Sequence, residues 1–255
     1  SYRRHRSEAL LTSWLTDGLL VNSHAAAAQI RYGGGGKAHR LFVVPNAVED
    51  EVAGRAEARL RFAARWNADS RRLWIGSMGR LDADKRFHAL LDIVASLTRR
   101  GYDLQLILIG YGDGLEALNE AARSLGIADR VVVSGPDPDA RKWLSALDVF
   151  CFPSTDEGLP NAVMEAAVAG VPIVGWRTDF LAELLGGSGA ALAEPGDRAG
   201  LEDAVARLLE RPEERLQLGR EARQRMSNQY GVNRLIERMT SVYEELLSPN
   251  GGGRP

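Results

Sequence analysis

The sequence predicts an α/β fold, a doubly wound parallel sheet followed by C-terminal helices. Three observations predict it. Short apolar runs rich in Val, Ile and Leu recur without polar alternation, as strands buried on both faces do. Segments with apolar residues at helical spacing separate these runs. The strand-like runs stop at Pro195-Gly196, and only helix-like segments follow. The 255 residues, 45% hydrophobic and 26% charged, suit one large α/β domain or somewhat more.

In chain order, the strands are expected at Leu19–Asn22, Leu41–Val44, Leu73–Ser77, Leu104–Ile109, Val131–Ser134, Val149–Phe152, Pro172–Val174 and Ala190–Leu192. Helices are expected at Phe87–Arg99, Leu115–Leu125, Ala140–Ala146, Asn161–Ala169 and Phe180–Leu185. Leu90, Leu91, Val94 and Leu97 give the first of these an apolar face. Three mixed-charge helices follow at Leu201–Arg211, Glu213–Gln229 and Asn233–Leu247, and Pro212 suits the first turn of the second. Asn250–Pro255 has the composition of a flexible tail. Repeated βα units imply a Rossmann-like sheet, whose ligands sit at the carboxyl ends of the strands. The loops of interest are therefore Gly76–Lys85, Gly110–Gly114, Gly135–Asp139, Pro153–Asn161 and Gly175–Glu183.

Composition removes several function classes. A formal charge of -2 argues against a dedicated nucleic-acid binder. One cysteine, Cys151, forbids an intrachain disulfide and any Cys-rich metal site. The four histidines, His5, His24, His39 and His88, lack ligand spacing. The apolar runs are far shorter than the ~20 residues that span a bilayer. No signal peptide is visible, and a chain beginning at Ser1 reads as a fragment of a longer polypeptide. Of the 32 basic residues only Lys37, Lys85 and Lys142 are lysines, which singles out a lysine in a ligand-side loop.

Three loops have residues suited to chemistry. In Gly76–Arg86, Arg80 and Lys85 stand five apart between a strand and a helix, where two cations can clamp a diphosphate; a solvated basic helix cap is the competing reading. Gly110-Tyr-Gly-Asp-Gly114 has the wrong spacing for a dinucleotide fingerprint and reads as a structural turn with Asp113 capping the next helix. In Pro153–Pro172, Glu157 and Glu165 stand eight apart around a helix start at Pro160, whose free N–H groups and dipole favour an anion. Two carboxylates flanking a phosphate suit a ligand with hydroxyls on both sides of it; ordinary surface glutamates are the alternative. Elsewhere, Asp148 reads as a turn residue and Cys151 as inert core. His24 reads as a helix-cap or water-facing residue, and Tyr2–Arg6 as a solvated helix end. Whether Trp176 and Arg177 line a pocket is left open.

Taken together these loops resemble the nucleotide-sugar-binding half of retaining glycosyltransferases of the GT-B fold, family 4. The resemblance covers residues 18 to 247. The family's Glu-x7-Glu signature matches Glu157 to Glu165 in EGLPNAVMEA, followed by AxxGxP at Ala167–Pro172. Its GRL-x-x-x-K element matches Gly79, Arg80 and Lys85, its linker matches Val44-Pro45-Asn46, and its Ala-Asp-Val-x-x-x-Pro-Ser strand matches Leu147–Ser154.

The resemblance implies a retaining glycosyltransferase using a nucleoside-diphosphate sugar, UDP-sugar preferred, with a glycan or lipid-linked acceptor. It implies that Arg80 and Lys85 neutralise the donor diphosphate, and that Glu157 holds hydroxyls of the transferred sugar. Glu165 would bind the ribose, and backbone amides near Gly158, Leu159 and Asn161 would face the phosphates and sugar. Asp137 falls where the family contacts the base through its main chain. Neither metal nor cofactor is implied, and the location expected is cytoplasmic, peripheral at the inner membrane face. Residues 1–46 would be the end of an acceptor domain and linker, 47–230 the donor domain, and 231–255 a crossover helix and tail. Ala47 in place of the usual linker glycine implies a stiffer hinge, and Asp179-Phe180 replaces a common glycine pair before Glu183. Because the acceptor half would be largely missing, a nucleotide-sugar-binding module without transfer activity of its own is the alternative. An epimerase of similar fold would require other active-site acids.

Overall fold

The computed structural model describes residues 18–32, 40–50 and 52–248. The basic stretch Tyr2–Arg6, the run Gly33–Gly36 and the tail Asn250–Pro255 lie outside the described residues. A first unit pairs β1 (Gly18–Val21) with β2 (Arg40–Val43) in parallel, with α1 (His24–Tyr32) between them in the chain. The main body is a six-stranded, all-parallel sheet: β3 (Leu73–Met78), β4 (Leu104–Ile109), β5 (Val131–Val133), β6 (Val149–Phe152), β7 (Ile173–Trp176) and β8 (Ala190–Ala193). Its spatial order is β5-β4-β3-β6-β7-β8. The chain thus winds outward from β3 in one direction, returns to β6, and winds outward in the other. This doubly wound order puts a crevice at the carboxyl ends of β3 and β6, where such sheets bind ligands.

Helices cover both faces, so the strands are apolar without alternation, β4 being buried throughout. One core packs α2 (Arg55–Trp66), α5 (Asn161–Val168), α6 (Asp179–Leu185) and part of α8 (Pro212–Gln229) on the sheet. The other packs α3 (His88–Arg99), α4 (Leu115–Ser124) and α7 (Arg198–Glu210). Helix α9 (Val232–Leu247) closes the described chain, and no helix among the described residues is long and apolar enough to cross a membrane.

The strand expectations hold to within about two residues at each end, and so do most helices. Three differ. The segment Ala140–Ala146 is a 3-10 helix. Helix α2 had no sequence expectation, because Ala58 and Phe62 are its only fully buried residues and the rest of its surface is largely polar. Phe62 joins an aromatic cluster with Trp66, Trp74 and Trp143, its ring centroid lying 4.4–5.9 Å from theirs. Asp113 does not cap α4: the N-cap is Gly114, with no side-chain bond to the helix.

Asp148 is no ordinary turn residue. Buried just before β6, it accepts the Trp74 backbone N–H at 2.8 Å and meets Arg55 at 2.6 Å and Arg59 at 3.0 Å. Arg215 of α8 stands 3.8 Å away. This carboxylate ties α2 and α8 to the middle of the sheet, and burial lowers the pKa of Arg59 against the pull of its partner.

Candidate functional site

Two loops meet at the crevice. The first leaves β3 through Gly79 and Arg80 and ends in a 3-10 turn, Ala83–Lys85. It is fixed by the loop after β4: Gly79 N–H donates to the Ile109 carbonyl, Leu81 N–H to that of Tyr111, and Gly114 N–H to that of Leu81, at 2.8–3.0 Å. A Cβ at Gly110 would lie 2.0 Å from the Gly79 carbonyl oxygen, and one at Gly114 2.1 Å from that of Leu81. The GxGxG pattern therefore permits two backbones to touch, the structural reading of that motif.

The second loop leaves β6 at Pro153 and enters α5 at Asn161. The Trp176 indole N–H donates to the Pro153 carbonyl at 2.9 Å and pins the loop's start from beneath. Pro160 is the N-cap of α5, and no side chain caps the helix. The amides of Asn161 and Ala162 thus lack intrahelical acceptors. Both residues line a cavity of about 190 Å³ between the loops, together with Gly79, Arg80, Lys85 and Glu157. Ser77, Phe152 and Ser154, at the ends of β3 and β6, line it too.

The site combines cations, a helix N-terminus and a carboxylate. Lys85 Nζ lies 2.5 Å from Glu157 Oε1, with both side chains mostly buried. Arg80 is more open, with 70% of its side chain exposed and Asp82 at 3.0 Å. An anion entering between the loops meets Arg80, Lys85 and the α5 amides together.

The structure does not bring every expected residue to this cavity. Gly79, Arg80, Lys85, Glu157 and Asn161 line it; Asp137, Gly158, Leu159 and Glu165 do not. Leu159 is buried in the core. Glu165 lies one turn into α5, half-buried, and burial raises its pKa while Arg141 works against that rise. The Asp137 side chain is enclosed, accepting from the Trp143 indole at 2.9 Å and the Asp139 backbone at 2.9 Å and pairing with Arg65 at 3.2 Å. It shapes the Gly135–Asp139 loop and leaves only main chain to face a ligand. Trp176 is buried, and exposed Arg177 pairs with Glu194 at 2.8 Å, so neither lines the cavity. Cys151 is buried and its thiol is pushed up to about 12, as inert core requires. His24 is exposed at the start of α1.

Sequence reasoning missed three polar contacts around the second loop. Asn46 Nδ2 donates to Asn161 Oδ1 at 2.8 Å. The Asn22 amide lies 3.2 Å from where Gly158 would carry a Cβ. The Glu183 carboxylate accepts the backbone N–H groups of His24 at 2.8 Å and Ala25 at 3.0 Å. Asn46 stood within the linker motif; the other two follow no local pattern. Among the described residues, no group of three or more His, Cys, Asp and Glu is placed to hold a metal ion.

Comparisons with known proteins agree with this geometry. Residues 59–225 match the family model described as glycosyl transferases group 1. The 2-deoxystreptamine glucosyltransferase of Streptomyces kanamyceticus is 30% identical over 218 residues, covering 83% of this chain and 56% of that protein. The MMP alpha-(1->4)-mannosyltransferase of Mycolicibacterium hassiacum is 30% identical over 90% of this chain and 54% of its own length. The chain spans about half the length of the relatives it matches. Among solved structures, S. aureus TarM superposes with a TM-score of 0.82 at 14% identity, over 96% of this chain and 47% of that one. Anabaena HepE, in complex with UDP-glucose, does so at 0.81 and 20% identity, over 90% of this chain and 64% of that one. At such identities the structural likeness establishes the fold, a Rossmann-like GT-B domain. The family match rests on the sheet and both site loops together, and the chain belongs to the group 1 glycosyltransferases.

Proposed function

We propose that this chain is the donor-binding part of a retaining glycosyltransferase and takes a nucleoside-diphosphate sugar, UDP-sugar preferred, without a metal ion. The observation that carries this is the cavity at the switch point, where Arg80, Lys85 and the uncapped N-terminus of α5 converge. Departure of a nucleoside diphosphate leaves negative charge on the β-phosphate. Fixed positive groups aimed at that oxygen stabilise it in the transition state, as a cation does elsewhere. Arg80 and Lys85 supply full charges, and the amides of Asn161 and Ala162 supply partial ones.

Glu157 borders the same cavity and accepts hydroxyls of the transferred sugar, while Lys85 holds it in register. Glu165, one turn deeper, takes the ribose, and the main chain near Asp137 the base. The complexes of HepE with UDP, with UDP and glucose, and with UDP-glucose support a UDP-sugar donor. Relatives in lipopolysaccharide core and capsular polysaccharide synthesis support a glycan or lipid-linked acceptor, met at the cytoplasmic face of a membrane. Residues 1–46 belong, in this reading, to the end of an acceptor domain, and 231–255 to the segment that crosses back to it.

A second reading has its own observation. Spanning about half of its relatives' length, the chain can bind donor and yet transfer nothing until an acceptor-binding part is supplied. Calorimetric titration with UDP-, GDP- and ADP-glucose, with and without a chelator, tests the donor assignment. Binding of UDP-glucose that survives the chelator is expected. Binding lost on chelation and restored by magnesium, or binding of none of the three, overturns it. Transfer assayed with and without an added N-terminal half separates the two readings.

A further inference from the structure

Ser77 is the penultimate residue of β3 and 1% exposed. Its Oγ has no hydrogen-bond partner among the described residues. A buried hydroxyl without a partner is unusual, because the desolvation it suffers on folding is normally offset by a hydrogen bond. Its neighbours show how the rest of the fold meets this requirement. Buried Gln105, on the adjacent strand, accepts the Asp69 backbone N–H at 2.9 Å, and buried Ser23 accepts that of Ala26 at 3.0 Å. Ser77 is also one of the residues lining the cavity at the switch point, two positions before Gly79 and three before Arg80. Every other residue of β3 is apolar or glycine, so a serine here is no requirement of the sheet.

We infer that Ser77 is a donor-binding residue, its hydroxyl hydrogen-bonded to an oxygen of the diphosphate–sugar part of the ligand. The inference rests on the nucleotide-sugar reading of the cavity and adds to it a neutral group set among the cations. Arg80, Lys85 and the α5 amides can only donate. A serine hydroxyl both donates and accepts, so it serves a bridging oxygen or a sugar hydroxyl that the cations and amides do not serve. Sitting at the end of a central strand rather than on a loop, it has a fixed position before the ligand arrives.

The test is Ser77→Ala, which removes one oxygen from a buried site and leaves the volume nearly unchanged. The expected outcome is a melting temperature equal to or above the parent's, because an unsatisfied buried hydroxyl is gone. Affinity for UDP-glucose should fall roughly three- to tenfold, the worth of one neutral hydrogen bond, while uridine binding stays as in the parent. Ser77→Thr, which keeps the hydroxyl, serves as the conservative variant and should recover part of the loss. Parent-like UDP-glucose affinity in Ser77→Ala overturns the inference and leaves the nucleotide-sugar reading standing. So does an equal loss for uridine, which would mark a general distortion. Failure of the unaltered chain to bind UDP, GDP or their sugars overturns the site reading, and this inference with it.

Discussion

Lys85 and Glu157, 72 residues apart in sequence, form an ion pair at 2.5 Å that joins the loops after β3 and β6 across the switch point. The lysine expected to meet the diphosphate and the carboxylate expected to meet the sugar therefore hold each other. Each positions the other, and each remains at the cavity wall.

Substitutions at the pair should separate these jobs. Lys85→Ala should weaken UDP roughly ten- to hundredfold, the worth of one charge-assisted hydrogen bond, with a smaller effect on uridine. Glu157→Gln should leave UDP affinity at or slightly above the parent's, because Lys85 loses a competing anion, while the advantage of UDP-glucose over UDP shrinks. Calorimetry on both variants checks this. A Glu157→Gln chain that binds UDP as poorly as Lys85→Ala would sink the division of labour.

Glu165 gives a pH-dependent expectation. Burial raises its pKa, so the folded chain holds this proton more tightly than the unfolded chain does. Its contribution to stability is thus most favourable below the ordinary carboxyl value and declines as pH rises towards the raised folded value, then levels off. Glu165→Gln should flatten this part of the melting profile. If a ribose hydroxyl donates to this carboxylate, nucleotide binding favours the charged form and releases a proton. Titrations near the raised pKa in buffers of different ionisation enthalpy should detect that release in the parent and not in Glu165→Gln.

Glu183 caps α1 from 159 residues away, accepting the N–H groups of His24 and Ala25. Its removal in Glu183→Ala should cost about 1 kcal/mol of stability, as loss of an N-cap does. Hydrogen exchange at the His24 and Ala25 amides should accelerate, and unchanged protection there would count against the cap.

Asp148 should be the most sensitive of these carboxylates. Asp148→Ala leaves Arg55 and Arg59 without their shared anion and frees the buried Trp74 N–H. Breaking a buried pair in this way costs about 3–5 kcal/mol. A urea midpoint within error of the parent's would show the hub to be dispensable.

How much of this was legible in the sequence follows from how local each feature is. The sheet was legible because strands such as Leu104–Ile109 are buried on both faces and need no partner to announce themselves. Arg80, Lys85, Glu157 and Asn161 were legible because each lies within a few residues of a strand end, in a motif with fixed spacing. Helix α2 was not, since the aromatic pocket that receives Phe62 is built from Trp66, Trp74 and Trp143 on other turns and elements. Asp148 looked like a turn residue because its arginines come from positions 55, 59 and 215. The same distance in sequence hid the Asn46–Asn161 bond and the Glu183 cap. Trp176 gave a misleading signal: it follows the rule that strand ends face ligands, yet its side chain turns inward to hold Pro153.

The sole cysteine sits in β6 with a thiol pushed up to about 12, and this makes the chain chemically silent towards maleimides at neutral pH. Any cysteine introduced on the surface becomes the only reactive one without further engineering. Tyr111 is the natural place for it: 59% exposed, with its own carbonyl bonded to the Leu81 amide beside Arg80. A fluorophore attached there would sense rearrangement of the cationic loop as nucleotide titrates in, giving an optical readout that depends on neither an acceptor nor a completed transfer.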